Sequence, residues 1–511
     1  MKTILLSCLA LAVCLSQPAL AQYENYAVDG LLFSSTNFGG TARSMGLAGA
    51  QTALGADLSS AASNPAGLGM CRRSEFVFSP MLGYGNSSSN LNNANLSANY
   101  NNFALGNMGA IFSFAKDDLA GGKWRGGSLA VSMSRIKDFN NNIGFSGVNT
   151  NNSMTDYFIQ TANGTNDQLY FDEGKNGTIS SLQSLAYNTF VINPVNPGGD
   201  NRYQTLGNMK IAKVNQSGYV NTKGRINEWD FAGGLNYDDK IYLGAAIGVM
   251  GIHYEEDKLF KEKISESTPS VLNSFALQEG RTVNGSGVKI SGGIIAKPND
   301  HFKIGLSLTS PTIYTMEENF KATTMTSSNV ANYYYPGDTL PMQTSHTATM
   351  GGGSNRYTLT TPGIAKLGLA YTNKYGLLSA EVASVNYAGM NIQDGVNALT
   401  YSSANNFAAS NFKSTINTNI GAELKLEDIR IRAGYAYYGD PSAGIDHVNR
   451  AKQFLTLGAG FRNQEYFVDI AYIASLTNSV YSPYTLANGN GPSVTSQNNN
   501  TNIMLSCGLF F

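Results

Sequence analysis

The sequence predicts an all-β transmembrane barrel of about 14 antiparallel strands whose lumen is plugged by an N-terminal hatch. Three observations carry that expectation. An export signal opens the chain. Long segments then alternate between apolar and polar residues, and the turns joining them are alternately short and long.

The export signal comes first. Lys2 precedes an apolar run from Ile4 to Leu15, and Pro18-Ala19-Leu20-Ala21 supplies the small residues that signal peptidase needs, so cleavage is expected before Gln22. The run is too short to cross a bilayer as a helix. Residues 1–21 are thus read as a signal peptide, and the destination as the outer membrane of a Gram-negative bacterium. Composition agrees with this. Charged residues make up 14% of the chain, against a typical ~25%, while 55 Gly, 28 Tyr and 24 Phe are abundant. The net charge of −1 argues against a nucleic-acid partner. Of the cysteines, only Cys71 and Cys507 lie beyond the signal; they are too far apart for a CxxC site and too few for a structural zinc centre.

The alternation is clearest in KSTINTNIGAELKLE, where Ile416, Thr418, Ile420, Ala422, Leu424 and Leu426 share one face. Lys413, Thr415, Asn417, Asn419, Glu423 and Lys425 take the other, and inward lysines and glutamates are expected to line and solvate the lumen. HFKIGLSL and AKLGLAY repeat the pattern. More than ten residues of period-2 alternation suit a tilted membrane strand. Strands are expected near 75–88, 100–116, 126–147, 226–237, 240–258, 282–297, 301–323, 355–374, 375–390, 412–427, 428–440, 451–463, 465–480 and 499–511. Tight turns fall at Asp238-Asp239, Pro298–Asp300, Thr372–Lys374, Leu426–Asp428 and Arg462–Glu465. Longer connections alternate with them, the longest running over 148–225. Short turns mark the periplasmic side. The last strand, NTNIMLSCGLFF, places Ile503, Leu505, Cys507, Leu509 and Phe511 on one face, an end of the kind that barrel-assembly machinery recognises. The barrel is expected over 75–511, embedded in lipid bilayer and lipopolysaccharide.

Residues 22–74 remain, and they contain GTARSMGLAGAQTALGADLSSAASNPAGLG. Small, nearly uncharged residues suit a compact plug in a confined lumen, with Pro65 stiffening the Asn64-Pro65 turn. Gly46-x-x-Gly49 lacks the remainder of a phosphate loop. Arg43-Ser44-Met45-Gly46, Gly49-Ala50, Asp57 and Asn64-Pro65-Ala66-Gly67-Leu68 resemble the N-terminal region of the FadL/OmpP1/TodX family of outer-membrane transporters for hydrophobic compounds. The TARSMG and NPAGLG forms are similar to the branch of Bacteroidetes-type bacteria, some of whose members are labelled haemin receptors. The resemblance implies a fourteen-stranded barrel with a hatch. It also implies passive uptake of hydrophobic compounds such as long-chain fatty acids, by loop capture, hatch rearrangement and a lateral path beside a kinked third strand. Asn64, Pro65, Ala66 and Gly67, with Arg43 and Asp57, are the expected hatch residues. A haemin receptor and a plugged barrel serving as a structural or secretion-associated partner are the alternative readings.

Two further features are site candidates. Loop 148–225 holds Tyr157, Phe158, Leu169, Tyr170, Phe171, Leu182, Leu185, Tyr187 and Phe190; an outer loop this apolar packs on itself, greets an apolar ligand, or does both. In SLAVSMSRIKDF, Leu129, Val131 and Met133 alternate but Ile136 falls out of phase, which an extra residue around Ser134-Arg135 would restore as a β-bulge. The alternative is a strand that has already left the membrane. His253, His301, His346 and His447 are scattered, with no haem-attachment motif; haem ligation by His346 or His447 is the rival to ordinary solvated loop histidines. No nucleophile–base pair or metal-ligand cluster is evident, so neither enzymatic activity nor a cofactor or metal is expected.

Overall fold

A computed structural model describes residues 20–116, 122–199, 201–206, 213–265, 270–330, 332, 334, 340–394, 398–444 and 446–511, without the side chains of 20–25 and 398–400. Residues 1–19 of the expected signal peptide lie outside that set. The chain begins with α1 (Leu20–Ser34), α2 (Ala42–Gly46), α3 (Ser60–Ser63) and a 3-10 turn over Pro65–Met70. The barrel follows as β1 (Glu75–Leu91), β2 (Ala94–Ser113) and β3, which runs as Trp124–Asp138 and resumes as Asn141–Asn149. Three helices cross the outer end: α4 (Met154–Ala162), α5 (Asp167–Asn176) and α6 (Leu182–Asn188). The wall continues with β4 (Val214–Tyr237), β5 (Ile241–Ile264) and β6 (Leu272–Ala296). β7 and β8 are each broken into three pieces: Phe302–Thr309, Ile313–Phe320 and Thr323–Asn329, then Ser345–Met350, Gly353–Thr360 and Ile364–Thr372. After β9 (Gly376–Asn386) comes α7 (Ala398–Asn411), then β10 (Ser414–Leu426), β11 (Ile429–Tyr438), β12 (Lys452–Arg462), β13 (Tyr466–Tyr481) and β14 (Val494–Phe510).

Fourteen antiparallel strands close on themselves, with β1 paired to β14 from Glu75↔Phe510 to Asn90↔Thr495. Each strand repeats one division of labour. On β10, Ile416, Ile420 and Leu424 are exposed on the outer face while Thr415, Asn417, Asn419 and Glu423 are buried inside. The same outward apolar row appears on β7 (Phe302, Ile304, Leu306, Leu308) and on β14 (Ile503, Leu505, Leu509). Exposed apolar rows around a closed sheet can be stable only against lipid, so the barrel spans a membrane. No helix among the described residues is long and apolar enough to do so. The expected tight turns are present; Asp238 and Asp239 both take positive φ, as a two-residue hairpin requires.

The structure differs from the sequence reading in two respects. Glu423 does not solvate the lumen: it is buried and accepts from Arg432 Nε at 2.7 Å. The longest connection is also shorter than 148–225, because β3 continues to Asn149 and β4 starts at Val214, both climbing past the membrane. Cys71 and Cys507 are both free thiols.

Candidate functional site: an occupied lumen beside a gap in the wall

Residues 42–71 wind around the inside of the barrel against a belt of inward glycines. A Cβ at Gly234 on β4 would lie 2.4 Å from the Gly69 nitrogen, and one at Gly244 on β5 would lie 2.2 Å from the Pro65 carbonyl carbon. Gly293 on β6 meets the Asn64 side chain, Gly305 and Gly368 on β7 and β8 meet Thr52, and Gly421 and Gly434 on β10 and β11 meet Leu47. No side chain larger than hydrogen fits there, so the backbone of the segment touches the backbone of the wall.

Polar contacts then fix the segment in register. Asn64 Oδ1 caps the 3-10 turn by accepting from Ala66 N at 3.2 Å. Its Nδ2 donates to Thr52 O at 2.7 Å and reaches Leu306 O at 3.4 Å. Pro65 begins that turn and needs no hydrogen-bond acceptor for its nitrogen. Thr52 donates through N and Oγ1 to Glu381 Oε2 at 3.1 and 2.6 Å. Asn419 Nδ2 donates to Ala48 O at 2.6 Å. Arg43 lies 3.7 Å from Asp57 and 3.6 Å from Glu423, and Glu423 also pairs with Arg432, which itself holds Asp469 at 2.6 Å. Asp57 further accepts from Thr41 Oγ1 at 3.0 Å and Ser59 N at 2.9 Å. Arg43, Asp57 and Asn64–Gly67 thus belong to one buried assembly. Sequence reasoning missed its wall-side members Glu381, Asn419, Arg432 and Asp469, which show only as inward-parity polar residues.

The outer half of the lumen is apolar and filled by α1 and α7. Phe33 packs edge-on against Phe139 at 5.8 Å and Tyr254 at 5.7 Å. Tyr26 does the same with Tyr357 and Tyr401, at 5.6 and 5.2 Å. Met250, Ile252, Met316, Leu359, Met390 and Ile392 complete this lining. One ion cluster pins α1 within it, Arg281 holding Asp29, Glu318 and Glu256 at 2.5, 2.9 and 3.1 Å. Below Phe33 a cavity of about 100 Å³ remains, bordered by Phe38, Ile136, Tyr314, Glu228 and Lys289.

The wall itself is incomplete at one place. β2 pairs with β3 only over Asn107–Ser113, opposite Ser134–Ser128, so its stretch from Ala94 to Leu105 is laddered on one side only, to β1. Beyond Ser134 the β3–β4 register shifts between Arg135 and Lys137, which makes Ile136 the extra residue. The resumed segment of β3 pairs only with β4 and lies across the inside of β1, where Asn141 Oδ1 accepts from the buried Ser87 Oγ at 2.7 Å. Among the described residues, side chains alone cross the resulting gap: Asn102 Nδ2 to Asp138 Oδ2 at 2.8 Å and Asn142 Nδ2 to Asn99 O at 3.5 Å. Arg135 is tied to Asp138 at 3.0 Å.

The end of α1 grips this kink. Lys137 Nζ donates to Leu32 O, Ser35 O and Ser35 Oγ at 2.5, 2.6 and 2.8 Å, all three at the helix C-terminus. Asn37 N donates to Ile136 O at 2.9 Å.

Above the lumen, α4–α6 form a cap. Phe158 and Leu185 are fully buried and Tyr170 nearly so, in a core shared with Phe145, Phe260, Phe275 and Tyr484 from the strand ends. Tyr157, Leu182 and Tyr187 pack at its edge. Phe190 has positive φ and its ring lies 4.6 Å from that of His346. Leu169 and Phe171 face outward, both half-exposed. The nine apolar residues of the loop are therefore divided between a self-packed core and a small exposed pair. Among the described residues no group of His, Cys, Asp and Glu is arranged to hold a metal.

No family model and no curated protein matches this sequence. Solved structures do match its fold. A Pseudomonas aeruginosa FadL homologue aligns at 12% identity with a TM-score of 0.54, covering 93% of this chain and 98% of that one. The P. putida toluene transporter TodX aligns at 13% identity with a TM-score of 0.52, covering 93% and 99%. At such identities the likeness concerns the fold, and this chain has the barrel fold of the FadL-type outer-membrane channels.

Proposed function

We propose that the protein admits hydrophobic small molecules, long-chain fatty acids by default, passively across the outer membrane. The observation that carries this reading is the unladdered stretch of β2 beside an apolar lumen. A solute channel keeps a polar, water-filled bore; here the bore is blocked by residues 42–71 and its outer half is lined with Phe, Tyr, Met and Ile. An apolar molecule gains by entering such a lining, and the gap offers it an exit into lipid without crossing the ionic belt of Arg43, Glu423 and Arg432. In this reading the outer cap receives the ligand, α1 yields its place in the lining, and residues 22–74 act as the hatch, held by Asn64-Pro65-Ala66-Gly67. The hydrophobic cargo named for the structural neighbour TodX supports the ligand class.

Titration of the purified barrel with a fluorescent long-chain fatty acid in a short-chain detergent tests the reading. Saturable binding that unlabelled fatty acid competes away is expected. Binding that rises linearly with detergent-phase concentration, in step with partitioning into empty micelles, overturns it.

A further inference from the structure

A second cavity lies on the outer surface, away from the lumen. It is an open groove of about 650 Å³ between α4 and the loop 482–493, within the size range of small-molecule sites. Its walls are built and tied together. Gln160 Oε1 on α4 accepts from Ala487 N at 3.0 Å, and Tyr484 OH donates to Asn152 Oδ1 at 2.9 Å. The loop tip closes on itself, with Leu486 N donating to Asn490 O at 2.7 Å and Gly489 N donating to Leu486 O at 2.8 Å.

The lining is chemically selective. Five carboxamides, Asn151, Asn152, Gln160, Asn488 and Asn490, face one carboxylate, Asp156, and no lysine or arginine lines the groove. Accounting for the hydrogen bonds shows what is left to offer. The oxygens of Asn152, Gln160 and Asn488 each accept a hydrogen bond that holds the side chain, and their amide nitrogens donate to nothing among the described residues. Asp156 is engaged at Oδ2 by Ser153 N, leaving Oδ1 as an acceptor. Ile159 and Leu486 add an aliphatic floor. An anionic ligand would meet Asp156 without a compensating cation. A polyhydroxylated neutral ligand would find both donors and acceptors, with the aliphatic floor beneath its C–H face.

We propose that this groove binds a neutral oligosaccharide. Two sources share that chemistry: glycan of the cell's own envelope, and soluble glycan outside it. The inference does not depend on lumenal transport.

The test uses the full chain in a detergent without a sugar headgroup. Two probes are titrated by calorimetry, with saturation-transfer NMR as a second readout: maltohexaose, and an uncharged outer polysaccharide of the producing cells freed from lipid A and from the charged core. At least one probe is expected to bind, and Asn151→Leu and Asn488→Leu are each expected to weaken it about tenfold, a change of about 1.4 kcal/mol. Gln168→Ala, on the exposed side of α5, is expected to bind like the unmodified chain. Binding of the envelope polysaccharide alone assigns the first source, and binding of maltohexaose assigns the second. Heat-modifiable migration checks that each variant is a folded barrel. The proposal is overturned if neither probe binds, or if both groove variants bind as tightly as the parent.

Discussion

Single side chains decide how firmly the inner segment is held, and Lys137 is the most exposed to test. Its Nζ is buried and committed to the C-terminal carbonyls of α1 and to the Ser35 hydroxyl. Lys137→Met keeps the bulk but removes the donor of Ser35 O and leaves Leu32 O only the 3.5 Å bond from Ser35 Oγ, a cost of about 1–3 kcal/mol for each buried group left unpaired. Amide exchange in the last turn of α1 should accelerate by about tenfold or more, while exchange in β9–β14 stays unchanged, and fatty-acid uptake into liposomes should rise. Unchanged exchange would mean that Phe33 alone anchors the helix. Glu262 is a second case, at the far end of the molecule. Outward residues on β5 are apolar from Ile241 to Val249 and then turn to His253, Glu255 and Asp257, so Glu262 stands beyond the membrane. Burial pushes its carboxyl up to about 7, against hydrogen bonds from Ser153, Gln216 and the Met154 N–H that pull it down and Asp156 nearby that raises it further. The folded cap therefore holds this proton more tightly than the unfolded chain. That contribution is complete below the ordinary carboxylate range and fades as pH rises through about 7. Exchange protection of α4 should fall between pH 5 and 7 by roughly 3 kcal/mol at most, and Glu262→Gln should flatten the profile.

Elements meet where side chains are missing, as the glycine belt shows. Gly244→Val would drive a Cβ to 2.2 Å from the Pro65 carbonyl carbon, and that backbone cannot retreat because Gly69 is held equally close to Gly234. The strand itself gains β propensity, so the barrel should still form and show heat-modifiable migration, while residues 42–71 become accessible to protease from the periplasmic side. The parent should resist the same digestion. This belt also marks the limit of what the sequence discloses. Alternation on β7, β8 and β10 is written locally, residue by residue, because each outward position must face lipid. Gly234, Gly244 and Gly293 lie on three strands, and only the pairing register brings them to one level. The helices were legible in part. α6 shows Leu182 and Leu185 at helical spacing, whereas α1 begins inside the expected export signal and α7 is buried by the barrel around it rather than by a face of its own. At the kink, the sequence shows a slipped phase around Ser134-Arg135; the structure locates the extra residue at Ile136. Nothing local announces that Lys137 reaches a helix one hundred residues earlier, since that contact exists only once the barrel has closed.

At the scale of the whole molecule, the inner segment and the wall gap form one device. Residues 32–39 touch the kink through Lys137 and Ile136, residues 42–71 seal the periplasmic half of the bore, and α7 lies beside α1 in the outer half. A ligand that takes the place of Phe33 must therefore loosen the contacts that shape the kink, so occupancy of the lumen and opening of the wall are expected to be coupled. The gap can be closed covalently without touching the lumen. Asn142 Nδ2 already reaches Asn99 O across it, so cysteines at these two positions are within reach of a short reducible bis-thiosulfonate linker. The native thiols do not interfere, because Cys71 is buried in the inner segment and Cys507 lies in β14 on the lipid face. In the Asn99→Cys, Asn142→Cys variant joined by that linker, fatty-acid binding should persist at parental affinity while uptake into liposomes falls at least about tenfold; reductive cleavage of the linker should restore it. Binding and uptake lost together would place the ligand in the gap itself. Uptake that survives the crosslink would route the ligand down the axis of the barrel, and the inner segment would then have to leave its glycine belt on every passage.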